Sequence, residues 1–358
     1  MARAEAQAAP EHDRGMPIVD CDLHIPTDGE AIRERMPEPF RSKGIGAAGD
    51  GYSSPIGVTR RDAVAKEESA YQLTKQQVLD PLGIERAIIT GGPSSGLVAH
   101  PNARKAVAVM RAYNDWVREA WTARDARLSA SIVIVPHAPA ESAAEIRRLA
   151  DDPDMVQVIT GTGTRIPFGQ EDYWPIFEAA ADAGLPVAMH IGPKGATGIS
   201  NPNNPAGISS NYSEGHIAQS INCYGQIASL VLEGVFESFP ELTFVMIEGE
   251  FGWVPDLMWR MDRYWEELKS ETPWLTRPPS EYVLEHVHFT TQPIPEPPRI
   301  EYFHALLEMI HAEETLMFCT DYPHWDGDYS PRQVFPSLEP ELERAIFYET
   351  ANKVYGFT

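Results

Sequence analysis

Cysteine is scarce in this chain: Cys21, Cys223 and Cys319 are the only three among 358 residues, and no two form a CxxC pair. Such spacing excludes a disulfide framework and a thiolate zinc site, and the expected compartment is the reducing cytoplasm. Basic charge is short as well. Against 52 Asp and Glu there are 29 Lys and Arg, a formal net charge of -23, so nucleic acid and anionic membrane surfaces would be repelled. No run approaches the roughly 18 uninterrupted apolar residues of a membrane span. Residues 1–15 lack the apolar stretch of a secretory leader and read as a disordered tail before a single domain over 16–358. A glycine-rich phosphate turn is also missing, whether GxGxxG or GxxxxGK[ST], which removes the signature of an open nucleotide-binding sheet.

What is present is a short apolar run that ends in ionisable side chains, Pro17-Ile18-Val19-Asp20-Cys21-Asp22-Leu23-His24-Ile25-Pro26. As a strand it puts Asp20, Asp22 and His24 on one face and Val19, Cys21 and Leu23 on the other. An Asp-x-His pair at a strand end can hold a metal ion from one side. The plainer alternative is a solvated turn, where Asp is common.

From there helix-like and strand-like segments alternate. Residues 25–64, with Pro, Gly and charge but little periodicity, read as a long first loop of the functional-lid kind. A helix is expected over 65–81, then strands over 86–90, 128–135, 155–160, 185–190, 242–248, 286–291 and 315–321. Helices over 101–124, 139–150, 172–183, 213–237, 253–268, 299–311 and 338–354 separate and close them, and a second long loop spans 192–211. Eight βα units predict an α/β fold, a distorted (β/α)8 TIM barrel with long loop insertions after strands 1 and 5.

Barrel enzymes carry their chemistry at the C-terminal strand ends. Here strand 1 offers Asp22 and His24, strand 5 ends in His190, strand 6 ends in Glu248 with Glu250 beyond, and strand 8 ends in Asp321 with His324 after it. A lone histidine at such a place is more often a structural hydrogen-bonder. Two histidines and two carboxylates on strands 1, 5 and 8, with agreeing parity, point instead to a metal centre. Nitrogen and oxygen donors without thiolate suit Zn²⁺, Mn²⁺ or another first-row divalent ion and leave positions open for water and substrate.

These residues carry a resemblance. The Asp22-x-His24 opening, Pro186-Val-Ala-Met-His190-Ile-Gly192, Gly234-Val-Phe-Glu-Ser-Phe-Pro240, Glu248-Gly-Glu-Phe-Gly-Trp253, Arg260-Met-Asp262-Arg263, Thr320-Asp321-Tyr-Pro-His324 and the tail Glu349-Thr-Ala-Asn352-Lys-Val-Tyr355-Gly356 are its motifs. Over roughly residues 16–357 the chain resembles the amidohydrolase-related family of the amidohydrolase superfamily, on the branch of the aminocarboxymuconate semialdehyde and hydroxybenzoate decarboxylases. The resemblance implies one divalent metal ion (Zn or Mn) bound by Asp22, His24, His190 and Asp321, in agreement with the parity reading, and a homodimer. Asp321 would touch the metal or its water and move a proton. The sequence departs from the branch at the end of strand 6, where the decarboxylases generally carry a catalytic His and this chain has Glu248, open to a role as base, extra ligand or ion-pair partner. Its opening pair is Asp-x-His rather than the superfamily's His-x-His, which adds negative charge and favours harder ions.

Other candidates have plainer readings beside the functional one. His216, opening a helix after the second insertion, is a catalytic candidate or a surface residue; His324, Trp325 and Thr290 read as substrate-binding residues. His286 and His288 share a strand face and read as core, and His137 as a loop histidine. Cys319 reads as small inward packing, the aromatics Trp253, Trp259, Tyr264 and Trp265 as helix packing or a subunit contact, and Arg60 and Arg61 as a solvated pair. The expected activity is metal-dependent, non-oxidative decarboxylation of a small aromatic or unsaturated carboxylic acid, with Asp321 or Glu248 managing the proton. Hydrolysis of an amide, lactone or activated C–C bond uses the same barrel and stays open because of Glu248. A barrel that only binds a metabolite has little need for so many ionisable strand ends.

Overall fold

The structure is a computed structural model that describes residues 16–43, 70–192, 209–327, 335 and 338–357. Eight short strands run in chain order: β1 Ile18–Leu23, β2 Ile84–Ile89, β3 Leu128–Val133, β4 Met155–Gly161, β5 Val187–His190, β6 Phe244–Ile247, β7 Val287–Thr290 and β8 Leu316–Met317. Each pairs in parallel with the next. Apart from Glu85 and Arg86 in β2, every strand residue is buried, as parallel strands rich in Val, Ile and Ala require when helices cover one face and a core fills the other.

The last strand meets the first. Leu23 bridges Tyr322 in parallel, the Cys21 N–H donates to the Phe318 carbonyl at 3.0 Å, and the His24 N–H donates to the Tyr322 carbonyl at 2.8 Å. The sheet therefore closes, and the predicted (β/α)8 barrel is what the chain forms.

The long helix Ala103–Ala120 shows how the outer layer is fixed. Asn102 caps it by accepting from the Lys105 N–H at 3.0 Å, a contact of about 1 kcal/mol. Its buried stripe includes Ala106, Met110, Tyr113 and Val117, at the spacing of one helical face. From that face Asn114 accepts from the Val133 N–H (3.0 Å) and donates to the Val133 carbonyl (3.1 Å), tying the helix to the end of β3.

Several predicted boundaries move. The first insertion is not wholly loop: it holds a helix, Gly29–Arg35, capped by Asp28, and a turn of helix, Phe40–Lys43. The helix expected over 65–81 is described from Ala70 and widens into a π-helical turn at Lys75–Leu79. The helix expected over 213–237 is three pieces, Tyr212–Ile217, Gln219–Leu232 and Val235–Ser238, the last break falling at Gly234 with φ of 75°. His286 is the last residue of the helix Pro279–His286, so it does not share a strand face with His288; its Nδ1 donates to the Leu242 carbonyl at 3.0 Å and its ring stacks on Phe236. The tail 1–15, Arg60, Arg61 and most of the second insertion lie outside the described residues. Among those described, no helix is long and apolar enough to cross a membrane. All three cysteines are buried thiols.

Candidate metal centre

The ends of β1, β5, β6 and β8 deliver one cluster. From β1 come Asp22 and His24, locked to the returning chain by the Asp321 N–H, which donates to the Asp22 carbonyl at 3.1 Å. One layer below, Asp20 accepts from the N–H and hydroxyl of Thr320 at 2.9 and 2.6 Å, so the seam is bonded through side chains too. Thr90, just past β2, donates its hydroxyl to Asp22 Oδ1. His190 ends β5, and its Nδ1–H donates to the Ile191 carbonyl at 2.8 Å, which fixes the tautomer and leaves Nε2 with a lone pair. Glu248 follows β6 with φ of 55°, and Asp321 follows β8 with φ of 53°. A left-handed backbone costs a non-glycine residue about 1 kcal/mol or more and collects at functional sites. The turn at Glu248 is held by its N–H donating to Thr290 Oγ1 at 3.0 Å.

His24 is the hub. Its Nε2 lies 3.3 Å from Asp22 Oδ1, 3.2 Å from Asp321 Oδ1 and 3.3 Å from His190 Nε2. His190 Nε2 in turn lies 3.0 Å from Glu248 Oε2 and 3.7 Å from Asp22 Oδ2. Ligand atoms of Asp22, His24, His190 and Glu248 fall within 4.8 Å of one another, and so do those of His24, Glu248, Asp321 and His324. Donors placed about 2.0 to 2.2 Å from one ion are separated by about 3 to 3.5 Å, which is the spacing observed. Asp22 Oδ2 is buried without a hydrogen-bond partner. Three carboxylates and two imidazoles thus fit a divalent cation with nitrogen and oxygen preference.

The electrostatics are those of groups that want opposite charge nearby. Burial pushes the carboxyl groups of Asp22, Glu248 and Asp321 up, yet the neighbouring imidazoles outweigh it and hold all three below the ordinary carboxylate range. Burial pushes His24 and His190 down, and the carboxylates reverse that: Asp22 and Asp321 hold His24 well above the ordinary value, while Glu248 and Asp22 raise His190.

Of the four residues expected from the sequence, Asp22, His24 and His190 fall in one group and Asp321 in the other, with His24 and Glu248 common to both. His324 stands beside them, its Nδ1–H donating to Asp321 Oδ1 at 2.6 Å and its ring 4.3 Å from that of His24. Thr290, expected in the pocket, is fully buried and supports Glu248. Trp325 is 41% exposed and donates from Nε1 to the Tyr212 hydroxyl at 3.2 Å. His216 belongs to neither group of ligand atoms; its Nε2 lies 3.3 Å from Asp326 Oδ2. Glu250 accepts from the Ser220 hydroxyl at 3.1 Å. Two supporting residues escaped the sequence reading. Thr90 was seen only as the end of a strand, and Gly91 only as punctuation after it, although the glycine leaves the space the His24 ring fills.

With this geometry in view, comparison with known proteins is informative. A family model described as amidohydrolase matches residues 19–357. The gamma-resorcylate decarboxylase of Rhizobium sp. (strain MTP-10005) is 24% identical over 278 residues, 72% of this chain and 79% of that protein. Among solved structures, an amidohydrolase from Mycobacterium avium subsp. paratuberculosis K-10 superposes with a TM-score of 0.73 at 18% identity, covering 96% of this chain and 100% of that one. The 5-carboxyvanillate decarboxylase of Novosphingobium aromaticivorans DSM 12444, complexed with manganese and 4-hydroxy-3-methoxy-5-nitrobenzoic acid, superposes with a TM-score of 0.69 at 16% identity, covering 99% and 100%.

Proposed function

The chain belongs to the amidohydrolase family, and from that premise we propose that it is a divalent-metal-dependent carboxy-lyase acting without oxidation on a small aromatic or unsaturated carboxylic acid. The observation that carries this reading is the convergence of Asp22, Asp321 and His190 on His24 Nε2, with Asp321 bonded at the same atom to His324. Support comes from the relatives whose names give decarboxylation of gamma-resorcylate and of 5-carboxyvanillate, the second complexed with manganese. We take Asp22, His24, His190 and Asp321 as the residues that would hold Mn²⁺ or Zn²⁺, with Glu248 beside them. A bound divalent ion supplies Lewis-acid polarisation of substrate oxygens.

The chain's own residues handle the proton. Decarboxylation replaces the carboxyl group by hydrogen at the same carbon: a proton is added there, the bond to the carboxyl carbon breaks, its electron pair returns to the unsaturated system, and CO₂ leaves. Asp321 is the proton carrier in this reading, because Oδ1 sits 2.6 Å from His324 Nδ1 in a place only 2% exposed. His324, whose side chain is 18% exposed, reaches solvent and reloads it. A ring hydroxyl next to the carboxylate raises electron density at the carbon that takes the proton, so hydroxylated acids are the preferred class.

One observation favours a second reading, hydrolysis. Glu248 Oε2, 3.0 Å from His190 Nε2, is a carboxylate placed to take a proton from water. The deciding experiment loads the purified protein with Mn²⁺ or Zn²⁺, measures metal per chain, and screens hydroxybenzoates and muconate-like acids for CO₂ release beside a panel of esters, lactones and amides. CO₂ release with about one metal ion per chain supports the lyase. Metal with hydrolysis alone replaces it by the second reading, and failure to take up metal defeats both.

A further inference from the structure

Asp20 is a fully buried acid that the chemistry above leaves without a task. We propose that it is a positioning residue for the metal centre: its carboxylate holds both the bulge that aims Asp22 and the turn that aims Asp321, and so sets the gap between the two carboxylates flanking His24. This rests on the reading that Asp22 and Asp321 would hold the ion, and it assigns part of the affinity for that ion to a side chain outside both groups of ligand atoms.

The bulge follows from the register of β1 on β2. Asp20 lies opposite Ala87 and Leu23 opposite Ile89, so Cys21 and Asp22 together face the single residue Ile88. An extra residue of this kind bends a strand and re-aims its side chains. The Asp20 side chain closes the bulge: Oδ1 accepts from the Asp22 N–H at 3.2 Å, the local bond to a backbone two residues on that Asp makes well. The Asp321 N–H takes the Asp22 carbonyl and the Thr90 hydroxyl takes Oδ1. Asp22 is thus held at three atoms, and Oδ2, buried without a partner, is the oxygen left for an ion.

The same carboxylate reaches across the seam. Oδ1 accepts from the Thr320 N–H at 2.9 Å and Oδ2 from the Thr320 hydroxyl at 2.6 Å, while Thr320 Oγ1 accepts in turn from the Tyr322 N–H at 3.2 Å. Thr320 and Tyr322 bracket Asp321, whose backbone is left-handed with φ of 53°. Such a turn persists where its surroundings over-determine it, and Asp20 supplies two of the bonds that do so. Both carboxylates beside His24 therefore answer to one group. The donors to Asp20 are two amides and a hydroxyl, and no Lys, Arg or His of the described residues pairs with it. An acid buried without a cation is costly, and apolar packing would fasten two strands at less cost. What the acid adds is a pair of acceptor oxygens at fixed spacing, which apolar side chains lack.

The test is Zn²⁺ affinity, read by calorimetry on metal-free protein, beside denaturant unfolding of the same samples. Asp20→Asn and Thr320→Val are each expected to weaken Zn²⁺ binding about 10- to 100-fold, the range for groups that orient ligands. Thr320→Ser keeps the hydroxyl and should bind within about twofold of wild type. The double variant Asp20→Asn/Thr320→Val should bind no more weakly than the weaker single, as expected of two residues that act through one contact. Unchanged Zn²⁺ affinity in Asp20→Asn, with stability alone reduced, would make Asp20 a fastener of the seam and overturn the proposal. Losses that add in the double variant, or a Thr320→Ser as weak as Thr320→Val, overturn it too. If Asp20→Asn does not fold, the two Thr320 variants read the same contact. A wild type that takes up no zinc defeats the metal reading itself, whereas zinc bound equally tightly by wild type and variants defeats only the role of Asp20.

Discussion

Gly91 and His24 are fitted so closely that a Cβ on Gly91 would stand 2.2 Å from Nδ1 of the imidazole. The backbone there has φ of 65°, a left-handed conformation that glycine adopts without strain. Gly91→Ala is expected to displace the ring at the hub of the cluster, weakening metal binding about 10- to 100-fold, the range seen when groups that orient ligands are lost. Stability should fall by about 1–3 kcal/mol. Elemental analysis and thermal unfolding check both, and wild-type values in both would mean that His24 shifts at no cost.

Asp22→Ala, His190→Ala and Asp321→Ala should each lower metal content well below one ion per chain and abolish turnover with the fold retained, as circular dichroism would report. Glu248→Gln separates two roles for the carboxylate beside His190. Full metal with a rate reduced about 100-fold or more makes it a base, the magnitude expected of general acid–base catalysis. Loss of metal makes it a ligand.

His288 sits in β7, almost wholly buried, and its Nδ1 has no hydrogen-bond partner. Burial pushes it down to about 4 from an ordinary 6.5. The unfolded chain therefore binds a proton at a pH where the folded one does not, and the stability this neutral ring confers is present above pH 6.5 and drains away as pH falls toward 4. At about 1.4 kcal/mol per pH unit the loss reaches about 3 kcal/mol. Denaturant unfolding of metal-free protein at pH 7 and pH 4.5 should show a smaller drop for His288→Leu than for wild type. Parallel losses would show that His288 protonates in place.

The barrel was legible because its strands are short apolar runs between helical periods, and all eight were found. The cluster of ionisable side chains was legible because such side chains cap those runs. The alternation argument, however, reaches Asp321 by a path the chain does not take. Regular strand stops at Met317, and Asp321 is aimed by a left-handed turn bonded to Asp22. Glu248 is likewise presented by a turn just past Ile247. Such turns, the hydroxyl of Thr90 on Asp22 and the close fit of Gly91 depend on contacts between strands, which periodicity within one segment does not encode. The helix inside the first insertion was missed although Asp28 is a good cap, since seven residues give too few turns for a face to show.

The seam between β1 and β8 joins positions far apart along the chain: Asp20 is bonded to Thr320, 300 residues later. A growing chain therefore carries Asp22 and His24 for about 300 residues of synthesis before Asp321 is made. A cluster that includes Asp321 cannot be completed until that residue is made, and an ion held between Asp22 and Asp321 would act as a clasp on the seam once it closes.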